Sequence, residues 1–146
     1  MDPGRSEAVV DARAVRFELA VIAVALLGAF VFRVEWVVPV LAVVVAVGVG
    51  FGARANLFRR VFAAVGAARL GPATATVPAR AVRFSELFAV AMLTLASLVF
   101  AADVAGVAWL LALIEAGVCA VHATTGASVE AAVRRRWFGG RRGGSG

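Results

Sequence analysis

Lysine is absent from this chain, and cysteine occurs once, at Cys119. A lone cysteine excludes an intramolecular disulfide, so cysteine usage says nothing about the redox compartment. With no lysine, all fifteen basic residues are arginine, which reads as a compositional bias. Charge is scarce: 16% of the 146 residues are charged and 62% are hydrophobic, giving a mean hydropathy of +0.94. Soluble domains are about 45–50% apolar, and so few polar residues could not cover a soluble surface. The first apolar run also lacks a small-residue cleavage site. It ends in GAFVFR, and its flank mixes Asp2, Glu7 and Asp11 with Arg5, Arg13 and Arg16, so it reads as a retained anchor, not a removed leader. Polar–apolar alternation is missing from the long runs, which excludes the strands of a membrane barrel. The class that remains is an all-α integral membrane protein.

Four apolar runs are present: 17–32, 36–51, 84–102 and 104 to about 125. Arg33, Val34 and Glu35 separate the first pair, and Asp103 alone separates the second. A spanning helix needs about 20 apolar residues, range about 17–25. The first two runs are slightly short, but Val15 and Ala53 extend them, with Arg16 and Arg54 reaching the headgroups. Pro39 falls in the first turn of the second helix, where its missing N–H costs little. The prediction is four transmembrane helices as two hairpins, 14–53 and 84–125. A tail (1–13), a basic loop (54–83) and a second basic tail (126–146) share one side. That side holds fourteen of the fifteen arginines, the far side only Arg33, Glu35 and Asp103. The positive-inside rule then puts both termini in the cytoplasm, with the chain in the cell's inner (plasma) membrane. Trp36 and Trp109, near the starts of the returning helices, are expected in an aromatic belt.

In the loop, Leu57, Phe58, Val61, Phe62 and Val65 recur at helical spacing, with Arg59 and Arg60 opposite. This predicts an amphipathic helix on the inner leaflet, level with the alternative that the second helix simply continues. Arg13, Arg16, Arg59, Arg60, Arg80, Arg83, Arg134, Arg135 and Arg136 are the expected contacts to anionic inner-leaflet lipid. A nucleic-acid partner is not expected, because the arginines sit between apolar runs and not along one soluble face.

The chain also repeats itself. Residues 10–17 read VDARAVRF and residues 77–84 read VPARAVRF, differing only at Asp11 and Pro78. Each copy leads into a hairpin, and each hairpin leads out through a glycine-alanine step and a basic aromatic stretch, FGARANLFRRVF and TGASVEAAVRRRWF. Because each half crosses twice, the halves are oriented alike, as a parallel repeat about an axis along the membrane normal.

Small residues at four-residue spacing mark contact faces in lipid. The second helix offers Ala42, Ala46 and Gly50, and also Gly48 with Gly52, and the fourth Ala108, Ala112, Ala116 and Ala120. Glu115, Cys119 and His122 share the fourth helix's inward stripe. Glu115 lies roughly 17 Å into that run at about 1.5 Å per residue, near the midplane. A carboxyl at that depth needs a proton or a partner, and Thr94 is the nearest candidate in height. Glu115 is therefore a candidate proton or substrate site, or a hydrogen-bonding group between helices. Cys119 and His122 are a candidate thiol and base, or packing and helix-end residues. One cysteine and one histidine are too few ligands for a zinc site, so no metal or cofactor is expected.

The Asp-x-Arg-x-x-Arg-Phe opening (Asp11, Arg13, Arg16, Phe17), the basic loop and the second Pro-x-Arg-x-x-Arg-Phe (Pro78, Arg80, Arg83, Phe84) resemble a family of small four-helix bacterial membrane proteins, the domain of unknown function 4395. The resemblance runs to about Phe138. It implies a Gly-Phe-Cys-x-Gly-Cys motif near the inner end of the fourth helix. GVCAVH (117–122) stands there, with Cys119 at the first cysteine position, His122 at the second and Val121 at the glycine. Cys-x-x-His cannot cycle to a disulfide within one chain; it leaves a thiol beside an imidazole. The family's activity is unassigned, and the resemblance hints at a thioredoxin-like or sulfurtransferase partner. The function expected is a structural or accessory membrane component, with thiol or sulfur handling through Cys119 and His122. The alternative is a small transporter or channel using Glu115. A homo-oligomer is left open.

Overall fold

The computed structural model describes residues 9–51, 56–66, 69, 71 and 75–125. The tail with Arg134, Arg135 and Arg136, and the segment with Gly52 and Arg54, lie outside them. The elements are β1 (Val9–Asp11), α1 (Ala12–Phe32), α2 (Val37–Phe51), α3 (Leu57–Val61) leading into a π-helical turn (Phe62–Gly66), β2 (Thr76–Pro78), α4 (Ala79–Ala101) and α5 (Ala105–Thr125). Apart from the two short strands and the connecting turns, the described residues are helical. Helices α1, α4 and α5 are long and apolar enough to cross a membrane, while α2, with 15 residues, is shorter.

Local chemistry sets the helix ends. The Asp11 carboxylate caps α1 by accepting the backbone N–H of Arg13 at 2.9 Å. Arg33 closes α1 in the left-handed region (φ 57°), and Val34 N–H returns to the Ala29 carbonyl at 2.8 Å. The same device closes α4: Asp103 has φ 58°, and Val104 N–H returns to Val99 at 3.1 Å. These back-turning bonds satisfy the last carbonyls and reverse the chain within a few residues.

A two-stranded antiparallel ladder pairs Val9 with Pro78, Val10 with Val77 and Asp11 with Thr76. The two copies of the repeated phrase thus meet, and α1 and α4 begin side by side at one end of the bundle. From there α1 packs chiefly on α5, α2 on α4, and α4 on α5, while the sequence neighbours α1 and α2 touch less. The core between them holds Ile22, Leu26, Val38, Val45, Leu93 and Trp109 among small residues such as Ala89, Ala96 and Ala112. Large apolar side chains also face outward, among them Val24, Leu27, Val43, Leu98, Leu110 and Ile114. That surface suits lipid and not water.

Ala108, Ala112 and Ala116 are buried as their spacing predicts. On α2 the expected small residues face inward in part: Ala42 and Gly48 are buried, Ala46 is half-buried, Gly50 is exposed, and Gly52 lies outside the described residues. Val38, Leu41 and Val45 complete that buried face and present bulk to α4, whose own buried face carries Ala89 and Ala96. Trp109 also departs from the expected belt. It is buried, with Phe30 and Phe100 edge-on at ring separations of 5.4 and 5.0 Å. Its azimuth decides this: Trp109, Ala112, Ala116 and Cys119 follow one another at three- and four-residue steps along α5's buried stripe. Trp36 is exposed.

Candidate functional site

The buried stripe of α1 runs Ala14, Glu18, Ile22, Leu26, so the helix carries a carboxylate into the bundle with its apolar residues. Glu18 is 2% exposed. Its Oε1 accepts Asn56 Nδ2 at 2.8 Å, and its Oε2 lies 3.4 Å from Arg59 Nε. The Arg59 Nη2 donates to Glu86 Oε1 of α4. Asn56 also caps α3, because its Oδ1 accepts the backbone N–H of Arg59 at 3.2 Å. Gly48 makes room for it, because a Cβ there would stand 3.2 Å from Asn56 Nδ2. One guanidinium thereby bridges carboxylates that follow the two copies of the repeated phrase, Phe-Glu-Leu in one and Phe-Ser-Glu-Leu in the other. The short helix α3 is tied to both α1 and α4. Phe62, packed on Phe17 at 5.6 Å, reinforces the attachment.

The loop segment therefore packs differently from the helical-wheel expectation. Arg59 turns inward with Phe58 and Phe62, and its side chain is 13% exposed. Leu57, Val61 and Val65 are exposed. Glu18, Asn56 and Glu86 did not stand out in the sequence. The available signal was a lone acid just inside each apolar run, the same signal that singled out Glu115.

Glu115 and Cys119 lie deeper, on α5, both nearly inaccessible. Cys119 Sγ donates to Glu115 Oε1 at 3.3 Å. The second oxygen, Oε2, has no hydrogen-bond partner among the described residues. Thr94, the partner anticipated by height, is exposed on α4 and does not fill that place. His122, one turn beyond Cys119, lines a cavity with residues of α1, β2 and α4. Among the described residues no group of three His, Cys, Asp or Glu is arranged to hold a metal ion.

Of the surface arginines, Arg16, Arg60, Arg80 and Arg83 are exposed. Arg13 folds back, its Nη2 3.3 Å from Asp11 Oδ2 and 3.1 Å from the Gly71 carbonyl. Partial burial alone would raise the Asp11 pKa. The hydrogen bonds from the Arg13 backbone and side chain, with its charge, outweigh that and hold it below the ordinary aspartate value.

The chain belongs to the domain of unknown function family DUF4395, whose match covers residues 10–135. None of the curated proteins and none of the solved structures matches it.

Proposed function

We propose that this DUF4395 member is a four-crossing membrane protein with both termini in the cytoplasm, acting as a structural or accessory component of the plasma membrane. The β1–β2 ladder supports the crossing number. If α1 and α4 start at the same end, the chain must return between them, and α2 is the element available to do so. At about 1.5 Å per residue its 15 residues reach about 22 Å. That is short of about 30 Å of hydrocarbon and calls for local thinning or for flanking arginines to reach out. The matching left-handed turns at Arg33 and Asp103 support two parallel hairpins.

The observation that carries the structural role is the pairing of interior polar groups between elements: Glu18 of α1 with Asn56 and Arg59, and Arg59 with Glu86 of α4. Inside lipid such contacts join helices. A reactive thiol needs access and a basic neighbour, whereas Cys119 is 1% exposed and bonds to a carboxyl. In native membranes a maleimide should therefore label Cys119 slowly at neutral pH, and unfolding should restore fast labelling. Fast native labelling would revive thiol chemistry with His122 as base, and with it a thioredoxin-like or sulfurtransferase partner. A reporter fused at residue 70 should behave as cytoplasmic and one at residue 103 as exported; the reverse pattern overturns the orientation.

A second reading has one observation in its favour, the buried Oε2 of Glu115 without a hydrogen-bond partner among the described residues. An intramembrane carboxyl so placed is suited to passing a proton or holding a substrate. Proton or ion flux into proteoliposomes that disappears in Glu115→Gln would establish this transport role in place of the structural one.

A further inference from the structure

The two copies of the repeated phrase enclose a cavity of ≈ 130 Å³ that opens to the surface. Val15, Arg16 and Leu19 of α1 form one wall, Val77 of β2 and Ser85 of α4 another, and His122 in the last turn of α5 completes the lining. The space is well below the about 300–1,000 Å³ of sites that enclose drug-sized ligands, and suits a small anion. None of the described residues that line it is acidic. The single difference between the copies contributes to this: Asp11 caps α1 and is engaged by Arg13, whereas Pro78 at the start of α4 brings no carboxylate to its wall. Arg16 offers a planar fork for phosphate oxygens, and the His122 imidazole lines the same space. Beside them Val15, Leu19 and Val77 form an apolar strip at the end of the bundle where α1 and α4 begin. A phosphate joined to hydrocarbon matches both features, which a free oxyanion does not.

We infer that this cavity is a binding site for the phosphate headgroup of an anionic phospholipid. This rests on reading the chain as a membrane protein, and it concerns one discrete site, not general attraction of arginines to the leaflet. The test uses the full chain purified in mild detergent, titrated with phosphatidylglycerol, phosphatidylcholine or inorganic phosphate, with bound lipid counted by native mass spectrometry. One phosphatidylglycerol should be retained about tenfold more tightly than phosphatidylcholine, which carries the same phosphate but also a quaternary ammonium that the Arg16 charge repels. Arg16→Gln should abolish that preference, while Arg69→Gln, at an exposed loop arginine, should keep it. Ala81→Leu fills the cavity without removing charge, and should expel the lipid while the helical circular dichroism stays unchanged. Equal retention of the two lipids, or equal loss in Arg16→Gln and Arg69→Gln, overturns the site. Displacement of phosphatidylglycerol by millimolar inorganic phosphate overturns the lipid assignment in favour of a soluble oxyanion. Binding to the purified chain does not depend on its orientation in cells, so an inverted topology would leave this result intact.

Discussion

Arg59→Met removes the cation that Glu18 and Glu86 share. At 3.4 Å between Arg59 Nε and Glu18 Oε2, unit charges attract by about 5 kcal/mol at an effective dielectric of about 20. Desolvation of the three groups offsets much of this, so the intact cluster contributes little net stability. Breaking it is another matter, because removal of one partner leaves buried charge uncompensated, at about 3–5 kcal/mol. The lower end applies here: Arg59 and Glu86 keep 13% side-chain exposure, and Glu18 keeps its bond from Asn56. A loss of about 3 kcal/mol in a chain of this length corresponds to a fall of roughly 6–12 °C in Tm on the scale of soluble domains. The assay is thermal unfolding in mild detergent, followed by near-ultraviolet circular dichroism, to which Trp109 contributes because Phe30 and Phe100 hold it edge-on. Combining Arg59→Met with Glu18→Gln and Glu86→Gln should recover most of the loss, since no stranded charge then remains. Amide exchange should rise first across 57–66, the segment that Asn56 and Arg59 tether. A change below about 1 kcal/mol in Arg59→Met, or a triple variant no more stable than the single one, would refute the assignment of Arg59 as the bridging cation.

Three further outcomes follow from the geometry. Trp109→Ala should cost about 1–3 kcal/mol, the worth of two edge-on aromatic pairs at roughly 0.5–1.5 each, and less than the about 3–5 kcal/mol of a water-soluble core, because burial from lipid gains no hydrophobic transfer; denaturant titration in micelles measures it. Asp11→Ala should destabilise α1 by about 1 kcal/mol through the lost cap, whereas Asp11→Asn keeps a capping oxygen and loses only the charge. The Asp11 pKa is lower folded than unfolded, so its contribution is present above the unfolded value of about 3.9 and lost as pH falls through the folded value; the stability difference between wild type and Asp11→Asn should shrink below about pH 4. Asp103→Val places a β-branched residue at φ 58° and should cost about 1–2 kcal/mol, read as a lower Tm with unchanged helix content.

Hydropathy made the helices legible because a long uninterrupted apolar run has few alternatives once barrels are excluded. It also placed the reversals, since Arg33 and Asp103 are polar interruptions where a chain can turn. Depth along a helix is therefore readable from the sequence, while azimuth and partner choice are much less so. Trp109 shows the first difficulty: its depth suggested a belt, but its place on the stripe with Ala112 and Ala116 turned it inward. Arg59 shows the second. Its partners lie far away in sequence, Glu86 by 27 residues, and no periodicity links a loop arginine to acids on two different helices. Glu18 and Glu86 looked like ordinary polar residues near helix starts, where a charged side chain can reach water. They are held inward only because α3 brings a cation and an amide to meet them, and that depends on Asn56 capping α3 beside Gly48. The doubled phrase is also more than a pair of headgroup anchors. Its copies pair through β1 and β2, wall one cavity, and hand their trailing acids to one arginine. Their single mismatch falls at a helix cap, where Asp11 can accept an N–H and Pro78 cannot, so the halves are alike in what anchors them and differ in what charge they present to the space between.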